Sequence, residues 1–399
     1  MGTTETYKTT DTKLTRIAWL SKQDSTKEFG CLMHLFNQES LLECFKMLDG
    51  RKALGVDGVS KTEYAEHLDK NIEDLLGRMK RMAYVPGPVR QVQIPKAGKP
   101  GATRPLGISN FEDKLVQTMT QRILQSIYEP LFLDCSYGFR PGKSCHDAVK
   151  ALHQHLYRKP VATVIDIDLE NFFGTIDHRL LERILREKIT DERFMRYIIR
   201  MFKSGVLAKG ELTVSAEGVP QGNIASPVLA NLFAHHVLDQ WFEDTVKKHC
   251  RGEVKLFRYC DDAVICCQYS HDAEKIERVL GKRLAKFNLK LNQDKTKLVS
   301  FTRHAEKGAS FEFLGFIFYW GNSRKGAKIP KLKTSGKRMR AKLKNANLWA
   351  KSMKDKIPIG VFWKMLCIKL EGHIRYFGVS HNLQRVETFL HHVKRVVFK

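Results

Sequence analysis

The segment Leu256–Cys267, LFRYCDDAVICC, constrains the fold of this chain more than any other. Two adjacent carboxylates, Asp261 and Asp262, lie between two short apolar runs, each of a length typical of one buried strand. The pattern predicts a strand, a turn and a second strand, with both acids at the turn. Adjacent carboxylates at the end of buried strands repel each other, so a cation is predicted to bind there.

A second acidic strand end lies in Val161–Leu169, VATVIDIDL. Successive side chains of a strand point to opposite faces, so Asp166 and Asp168 are predicted to share one face. Mg²⁺ prefers oxygen ligands and is often held by one or two carboxylates together with substrate phosphates. An isolated Asp-Asp pair is most often a solvated turn or a helix start. Two acidic strand ends in one basic chain instead favour a divalent metal site for phosphoryl transfer.

The net charge of the chain indicates a polyanionic partner. There are 68 lysine and arginine residues against 43 aspartate and glutamate residues, which gives a net charge of +25. Nucleic acid is the leading explanation, ahead of an anionic membrane surface. No apolar run is long enough for a spanning helix, so we expect a cytoplasmic protein with no membrane partner. The nine cysteines include no Cys-x-x-Cys pair, which argues against structural zinc.

Strands and helices follow one another in no regular order, and this predicts an α+β fold. Residues 1–53 are predicted to form a helical N-terminal extension, and residues 54–320 to hold the strands with the acidic ends. Ten of the 21 residues from Arg324 to Lys344 are lysine or arginine. This change of composition predicts a separate, basic, helical domain over residues 321–399. Its last helical pattern lacks a C-cap signal, so a natural end and a truncated one both stay open.

Seven segments, two of which overlap the acidic strand ends, follow one another along the chain, namely IPKAGKPGATRPLGI, SYGFRPGKSCHDAV, DLENFFGTIDH, GVPQGNIASPVLANLF, RYCDDAVI, LKLNQDKTKLV and FEFLGF. This set resembles the reverse transcriptases encoded by bacterial group II introns. The resemblance implies a right-hand polymerase, with fingers and a palm built on an antiparallel sheet over residues 54–320. The basic domain would be the helical thumb, which in the family also holds intron RNA as a maturase (X) domain.

The resemblance implies the metal ligands. In the family's first acidic motif, the metal-binding aspartate lies five residues before the second Phe of a Phe-Phe pair. Here that second Phe is Phe173, so the metal ligand is Asp168, and Asp166 is a nearby residue that does not bind the metal. Asp168 and Asp261 would bridge two Mg²⁺ ions, with Mn²⁺ as an alternative, and Asp262 would be a weaker, supporting ligand. The turn matches the polymerase Tyr-x-Asp-Asp hairpin, with Cys260 where family members commonly have alanine.

The resemblance also implies roles around the substrate. Lys96 and Arg104 would bind the incoming triphosphate, because the positive charges of lysine and arginine pair with the negative charge of phosphate. Phe173 would pack beneath the sugar and exclude a 2′-hydroxyl. Gln221 would approach the nucleotide and the template strand. Lys295 resembles the lysine that protonates the leaving pyrophosphate, which is a general-acid role.

Contacts with template, primer or other RNA are implied for basic residues that bind phosphates without reading sequence, namely Arg140, Lys337, Arg338 and Arg340.

Gly222 would let the backbone approach the nucleotide closely. The chain departs from the family pattern at Gly174, where the residue after the Phe pair is often acidic.

The resemblance therefore predicts an RNA-directed DNA polymerase that extends a primer on an RNA template with deoxynucleoside triphosphates, by two-metal nucleotidyl transfer. It also predicts binding of structured intron RNA as a splicing maturase. One alternative is an RNA-binding splicing cofactor with an unused polymerase site, and another is a relative recruited to phage defence or DNA repair. Monomer and homodimer both stay open.

Overall fold

A computed structural model describes residues 9–95, 101, 103–208, 211–214, 217–219, 222–303 and 309–398. The helices in these ranges are α1 (Thr10–Gln23), α2 (Gln38–Met47), α3 (Lys61–Glu66), α4 (Leu68–Lys80), α5 (Phe111–Tyr128), α6 (Cys145–Arg158), α7 (Phe172–Thr175), α8 (His178–Arg186), α9 (Glu192–Lys203), α10 (Ser226–Ala234), α11 (Lys247–His249), α12 (Ser270–Ala285), α13 (Gly336–Met353), α14 (Ile359–Phe377) and α15 (Leu383–Val397). The strands are β1 (Val89–Pro95), β2 (Thr103–Ile108), β3 (Thr163–Ile167), β4 (Val206–Ala208), β5 (Glu211–Thr213), β6 (Val254–Tyr259), β7 (Asp262–Cys267), β8 (Lys297–Ser300), β9 (Ser310–Phe313), β10 (Phe316–Asn322) and β11 (Lys328–Thr334). The predicted mixture of helix and sheet is confirmed.

The N-terminal helices α1 and α2 pack against α5. α2 begins at a capping box in which the Asn37 side chain accepts from the Ser40 N–H and the Ser40 hydroxyl accepts from the Asn37 N–H. Leu41 and Cys44 of α2 are buried in the same core as Leu115 of α5. The predicted boundary after residue 53 stays a prediction, and the residues on either side of it share this core.

A four-stranded antiparallel sheet, in the order β6-β7-β3-β8, positions the acidic strand ends. β6 and β7 form the predicted strand, turn and strand, with Tyr259 paired to Asp262 across the turn. In the pairing of β3 with β7, Ile167 lies opposite Ala263. The next position on each strand is therefore Asp168 on one side and Asp262 on the other. The sheet thus brings together two acids that are remote in sequence.

Both faces of this sheet are covered by apolar side chains. Ile165 and Ile265 lie in the larger core, which also contains residues of α5, α9 and α10. Val164 and Val264 lie in a second core together with Phe316 of β10. Both faces of the sheet are buried, so Asp168, Asp261 and Asp262 lie at the edge where β3 ends and the turn begins. Asp166 is the exception, because it lies within β3.

The apolar run Phe311–Trp320 by itself predicts a single strand, but the structure divides it between β9 and β10. β9 and β10 pair antiparallel across Leu314 and Gly315, whose φ angles are +50° and +85°. Two-residue hairpin loops favour positive φ at both central positions. Leucine is an unusual residue there, so the apolar run concealed the turn. β11 then pairs with β10 over Phe316–Asn322, and this hairpin crosses the predicted domain boundary at residue 321.

The helices α13, α14 and α15 share a third, smaller core formed by Met339, Leu366, Phe389 and Val393. His373 of α14 stacks on Phe389 of α15, with ring centroids 3.7 Å apart. Among the helices that the structure describes, none combines the length and apolar character needed to cross a membrane. The cytoplasmic location stays a prediction.

We expect acid to destabilise these C-terminal helices through His373. Burial first, and the charge of Lys342 second, lower the pKa of His373 to about 4. The unfolded chain binds this proton near its ordinary pKa of ~6.5, so stability is lost as the pH falls from about 6.5 to about 4. The expected loss is about 2 kcal/mol.

Urea unfolding followed by circular dichroism at pH 7 and at pH 4.5 measures this loss. His373→Leu keeps an apolar contact with Phe389 and removes the titrating group. The pH difference should shrink in the variant, and an equally large difference in both proteins would contradict the assignment to His373.

Candidate active site

The segment Lys290–Thr296 fixes the backbone of Asp168 just beyond the end of β3. The Glu170 N–H donates to the Lys290 carbonyl, and the Asn292 N–H donates to the Asp168 carbonyl at 2.8 Å. On the same segment, Lys295 places its Nζ 2.7 and 2.9 Å from the two carboxylate oxygens of Asp168. The structure therefore joins two residues that the sequence assigned to one reaction, the predicted metal ligand and the predicted general acid.

The carboxylates at the strand ends are close enough to change one another's proton affinity. Desolvation of the carboxylate first, and then the charges of Asp261 and Asp168, raise the pKa of Asp262 to about 6, although the residue as a whole is exposed at the start of β7. Burial first, and then Asp262 and Asp168, raise the pKa of Asp166 to about 7. Both shifts mean that the ionised forms are destabilised here. Bound cations would relieve this repulsion.

The donor set fits a hard divalent ion, because carboxylate oxygens are the ligands that Mg²⁺ and Mn²⁺ prefer. In the described part of the chain, no group of three or more His, Cys, Asp or Glu side chains is arranged closely enough to hold an ion. In this arrangement, Lys295 instead neutralises the Asp168 carboxylate. The ligand roles of Asp168, Asp261 and Asp262 stay a prediction that their position and mutual repulsion support.

Phe173 lies on the short helix α7, half-buried, with its ring edge-on to that of Phe172 at a centroid distance of 5.7 Å. Its carbonyl accepts the Val219 N–H at 2.7 Å. A Cβ on Gly174 would lie 2.3 Å from the side-chain nitrogen of Asn171. A larger residue at position 174 would therefore require the exposed Asn171 side chain to move.

Two predicted substrate contacts, Lys96 and Gln221, lie outside the described residues. Arg104 is exposed on β2, and its contact with a triphosphate stays a prediction. Gly222 has a φ of +111°, and a Cβ there would lie 2.1 Å from the Gly107 carbonyl oxygen. Gly222 therefore allows a close approach of the β2 backbone, and its place beside the nucleotide stays a prediction.

The prediction that Arg140 contacts template or primer is contradicted by its burial. Its guanidinium pairs with Glu129 at 2.8 Å and donates to the carbonyls of Leu133 and Ser136 at 2.7 and 2.9 Å. A phosphate could reach it only by displacing these internal bonds. Arg140 therefore stabilises the loop after α5, and the sequence could not reveal these partners.

The basic residues predicted at the start of the thumb, Lys337, Arg338 and Arg340, are all exposed on α13. Arg338 donates through Nε to Glu312 of β9 at 3.0 Å. The charge of Arg338 also acts to lower the pKa of Asp262. The first turn of α13 therefore lies close to the acidic strand ends, although its contact with nucleic acid stays a prediction.

Sequence reasoning missed a buried ion pair beneath the acidic turn. Arg258 on β6 pairs with Asp239, and both side chains are almost fully buried. The signal was an arginine that follows the apolar pair Leu256 and Phe257 in a strand predicted to be buried, because a buried charge requires a partner. Asp239 lies on the π-helical turn His235–Asp239 and could not be identified as that partner from the sequence.

An antiparallel sheet that presents facing acids beside a lysine defines a candidate nucleotidyl-transfer site. Residues 94–318 match the family model described as "Reverse transcriptase (RNA-dependent DNA polymerase)", and this range contains Asp168, Asp261, Asp262 and Lys295. The chain belongs to the reverse transcriptase family.

Three relatives narrow this identification. Protein YkfC of Escherichia coli is 31% identical over 345 residues, which are 78% of this chain and 88% of that protein. Group II intron-encoded protein LtrA of Lactococcus lactis is 32% identical over 56% of this chain and 37% of LtrA. A protein of Schizosaccharomyces pombe described as "Uncharacterized 91 kDa protein in cob intron" is 37% identical over 50% of this chain and 23% of that protein.

The chain thus spans most of YkfC but well under half the length of the two intron proteins. The resemblance to group II intron-encoded reverse transcriptases is confirmed.

Proposed function

We propose that this protein extends a primer on an RNA template with deoxynucleoside triphosphates, and that it also binds structured intron RNA during splicing. The observation that carries the polymerase proposal is the pairing of β3 with β7, which sets Asp168 and Asp262 at facing positions. Asp168, Asp261 and Asp262 would hold two Mg²⁺ ions. When bound, these ions would stabilise the attacking and the leaving oxygen of an in-line displacement at phosphorus.

In this proposal, the sheet β6-β7-β3-β8 is the palm of a right-hand polymerase, and α13 to α15 form the thumb. The sheet β2-β1-β4-β5 would belong to the fingers, with Arg104 on β2 facing the triphosphate. Phe173 would pack against the sugar of the incoming nucleotide. Its carbonyl is tied to Val219, so the main chain that carries the ring is held in place.

Intron RNA binding is supported by the similarity to LtrA and by the exposed basic residues of α13. Lysine and arginine side chains there, including Lys337 and Arg340, would bind phosphates without reading sequence. We therefore also propose that the protein acts as a maturase, which binds intron RNA and assists its splicing. The alternative of a splicing cofactor with an unused polymerase site predicts the same RNA binding, so only the chemistry distinguishes the two.

The contact of Lys295 with Asp168 supports the role proposed for Lys295 in the chemistry. Its Nζ lies on the same Asp168 oxygens that would coordinate an ion. An ion bound to these oxygens would repel the Lys295 ammonium, so Lys295 would leave Asp168 when the site is loaded. Its ammonium would then donate a proton to the leaving pyrophosphate.

We expect Lys295→Met to lower the rate of single-nucleotide addition by roughly 100-fold at saturating nucleotide, because general acids typically contribute a factor of that size. Rapid-quench measurements on an annealed RNA template and DNA primer give this rate. Lys290→Met is the matched control, since the exposed Lys290 contributes its backbone carbonyl, not its side chain, to the same segment. A rate for Lys295→Met within twofold of wild type would exclude the general-acid role.

A further inference from the structure

Arg258 lies directly beneath the acidic turn, and its side chain is only 1% exposed. Its guanidinium makes two bonds to Asp239, with Nε 2.7 Å from one carboxylate oxygen and a terminal nitrogen 2.5 Å from the other. The other N–H groups donate to Asn231 Oδ1 at 3.1 Å, to Ser136 Oγ at 2.8 Å and to the Cys260 carbonyl at 3.0 Å. One side chain therefore connects α10, the π-helical turn that follows it and the turn that carries Asp261.

The residue whose carbonyl Arg258 holds has an unusual backbone conformation. Cys260 has a φ of +60°, in the left-handed region that residues other than glycine rarely adopt. Such a conformation persists only where the surrounding structure imposes it. The hydrogen bond from Arg258 to the Cys260 carbonyl is one such constraint.

A second constraint acts on the same turn from Gly138. A Cβ at Gly138 would lie 2.6 Å from the Cys260 backbone nitrogen, so the glycine backbone packs directly against the turn. The Asn231 side chain accepts from Arg258 and donates to the Gly138 carbonyl at 2.5 Å. Asn231 thus links the two constraints, and we call Arg258, Asn231 and Gly138 the turn clamp.

We propose that the turn clamp is a positioning device for catalysis, which fixes the Cys260 peptide and thereby holds Asp261 in the orientation needed to bind metal. This inference rests on the proposed metal-binding role of Asp261. Arg258 itself is shielded from substrate and acts only through the turn. Residues that orient a ligand typically change metal affinity by roughly 10- to 100-fold, and a misplacement of about 1 Å can lower a rate roughly 100-fold.

The test uses two variants that disturb the turn clamp by different routes. The double variant Arg258→Met with Asp239→Leu removes both charges of the pair together, so that no buried charge is left without a partner. Gly138→Ala changes no charge and presses on Cys260 from the other side. The control is Arg122→Met with Glu43→Leu, which removes an ion pair of 2.9 Å that joins α5 to α2, together with the pairing of Arg122 with the exposed Asp11.

For each protein we would measure kcat for nucleotide addition, KM for the nucleotide, the Mg²⁺ concentration that gives half the maximal rate, and RNA affinity. Both clamp variants should show kcat roughly 100-fold lower and a Mg²⁺ requirement roughly tenfold higher. KM, RNA affinity and all values for the control should stay within about twofold of wild type. A merely structural role would lower the active fraction and leave the Mg²⁺ requirement of the folded protein unchanged.

Hydrogen exchange of the peptide Leu256–Val264 provides a readout that needs no activity. Both clamp variants should exchange the amides of Asp261 and Asp262 faster than wild type and control. A wild type that fails to extend a primer would overturn the proposed function, and the exchange result would still decide whether the turn clamp exists. Exchange, kcat and Mg²⁺ requirement that all match the control would overturn the inference.

Discussion

Primer extension by an Asp261→Asn variant is expected to be at least ~1,000-fold slower than by the wild type, with RNA binding unchanged. Asparagine is nearly the same size as aspartate but carries no charge to neutralise a divalent ion. Bound metal supplies several kcal/mol of transition-state stabilisation, and each ~1.4 kcal/mol is a factor of ten in rate. Asp261 also helps to raise the pKa of Asp262, so that pKa should fall below about 6 in the variant.

The measurement is extension of a labelled primer on an RNA template in Mg²⁺, at equal RNA occupancy for each protein. Asp244→Asn is the control, because it removes the same charge from an exposed position on the π-helical turn Phe242–Val246. Normal extension by the control and near-wild-type extension by Asp261→Asn would show that Asp261 is not a metal ligand.

Replacement of Phe173 by alanine should lower the preference for deoxynucleotides over ribonucleotides roughly 100-fold, expressed as the ratio of kcat/KM values. A small change in an apolar pocket already alters discrimination by roughly 10- to 200-fold, and here a whole ring would be lost. The ring is placed firmly, because Phe172 packs edge-on to it and Val219 ties down its backbone. Alanine would leave open the volume that a 2′-hydroxyl needs.

A graded series makes this prediction specific. Phe173→Tyr retains the bulk and should retain the preference, whereas Phe173→Leu should fall between tyrosine and alanine. Addition of each single nucleotide by the four proteins, with the deoxynucleotide rate as internal control, gives the ratios. An unchanged ratio in Phe173→Ala would assign sugar selection to other residues.

Local patterns predicted the elements that carry the site. Alternation and apolar length sufficed for β3, β6 and β7. The tight turn at Leu314 and Gly315 was missed, because leucine is not a typical turn residue and the segment reads as one apolar run.

Contacts between remote segments could not be predicted in the same way. Arg140 and Arg258 are both buried in ion pairs, and their partners Glu129 and Asp239 are defined only by the folded chain. The contact of Gly222 with β2 is likewise tertiary. Resemblance to a family located the acids, whereas the structure alone revealed what holds them in place.

The most direct test of the account is extension of a DNA primer on an RNA template by the wild-type protein, with Mg²⁺ and the four deoxynucleoside triphosphates. We predict products that lengthen to the end of the template, that disappear on chelation of the metal and return when Mg²⁺ is restored. A folded protein that binds the RNA and adds no nucleotide under these conditions would contradict the polymerase assignment and would favour a splicing cofactor.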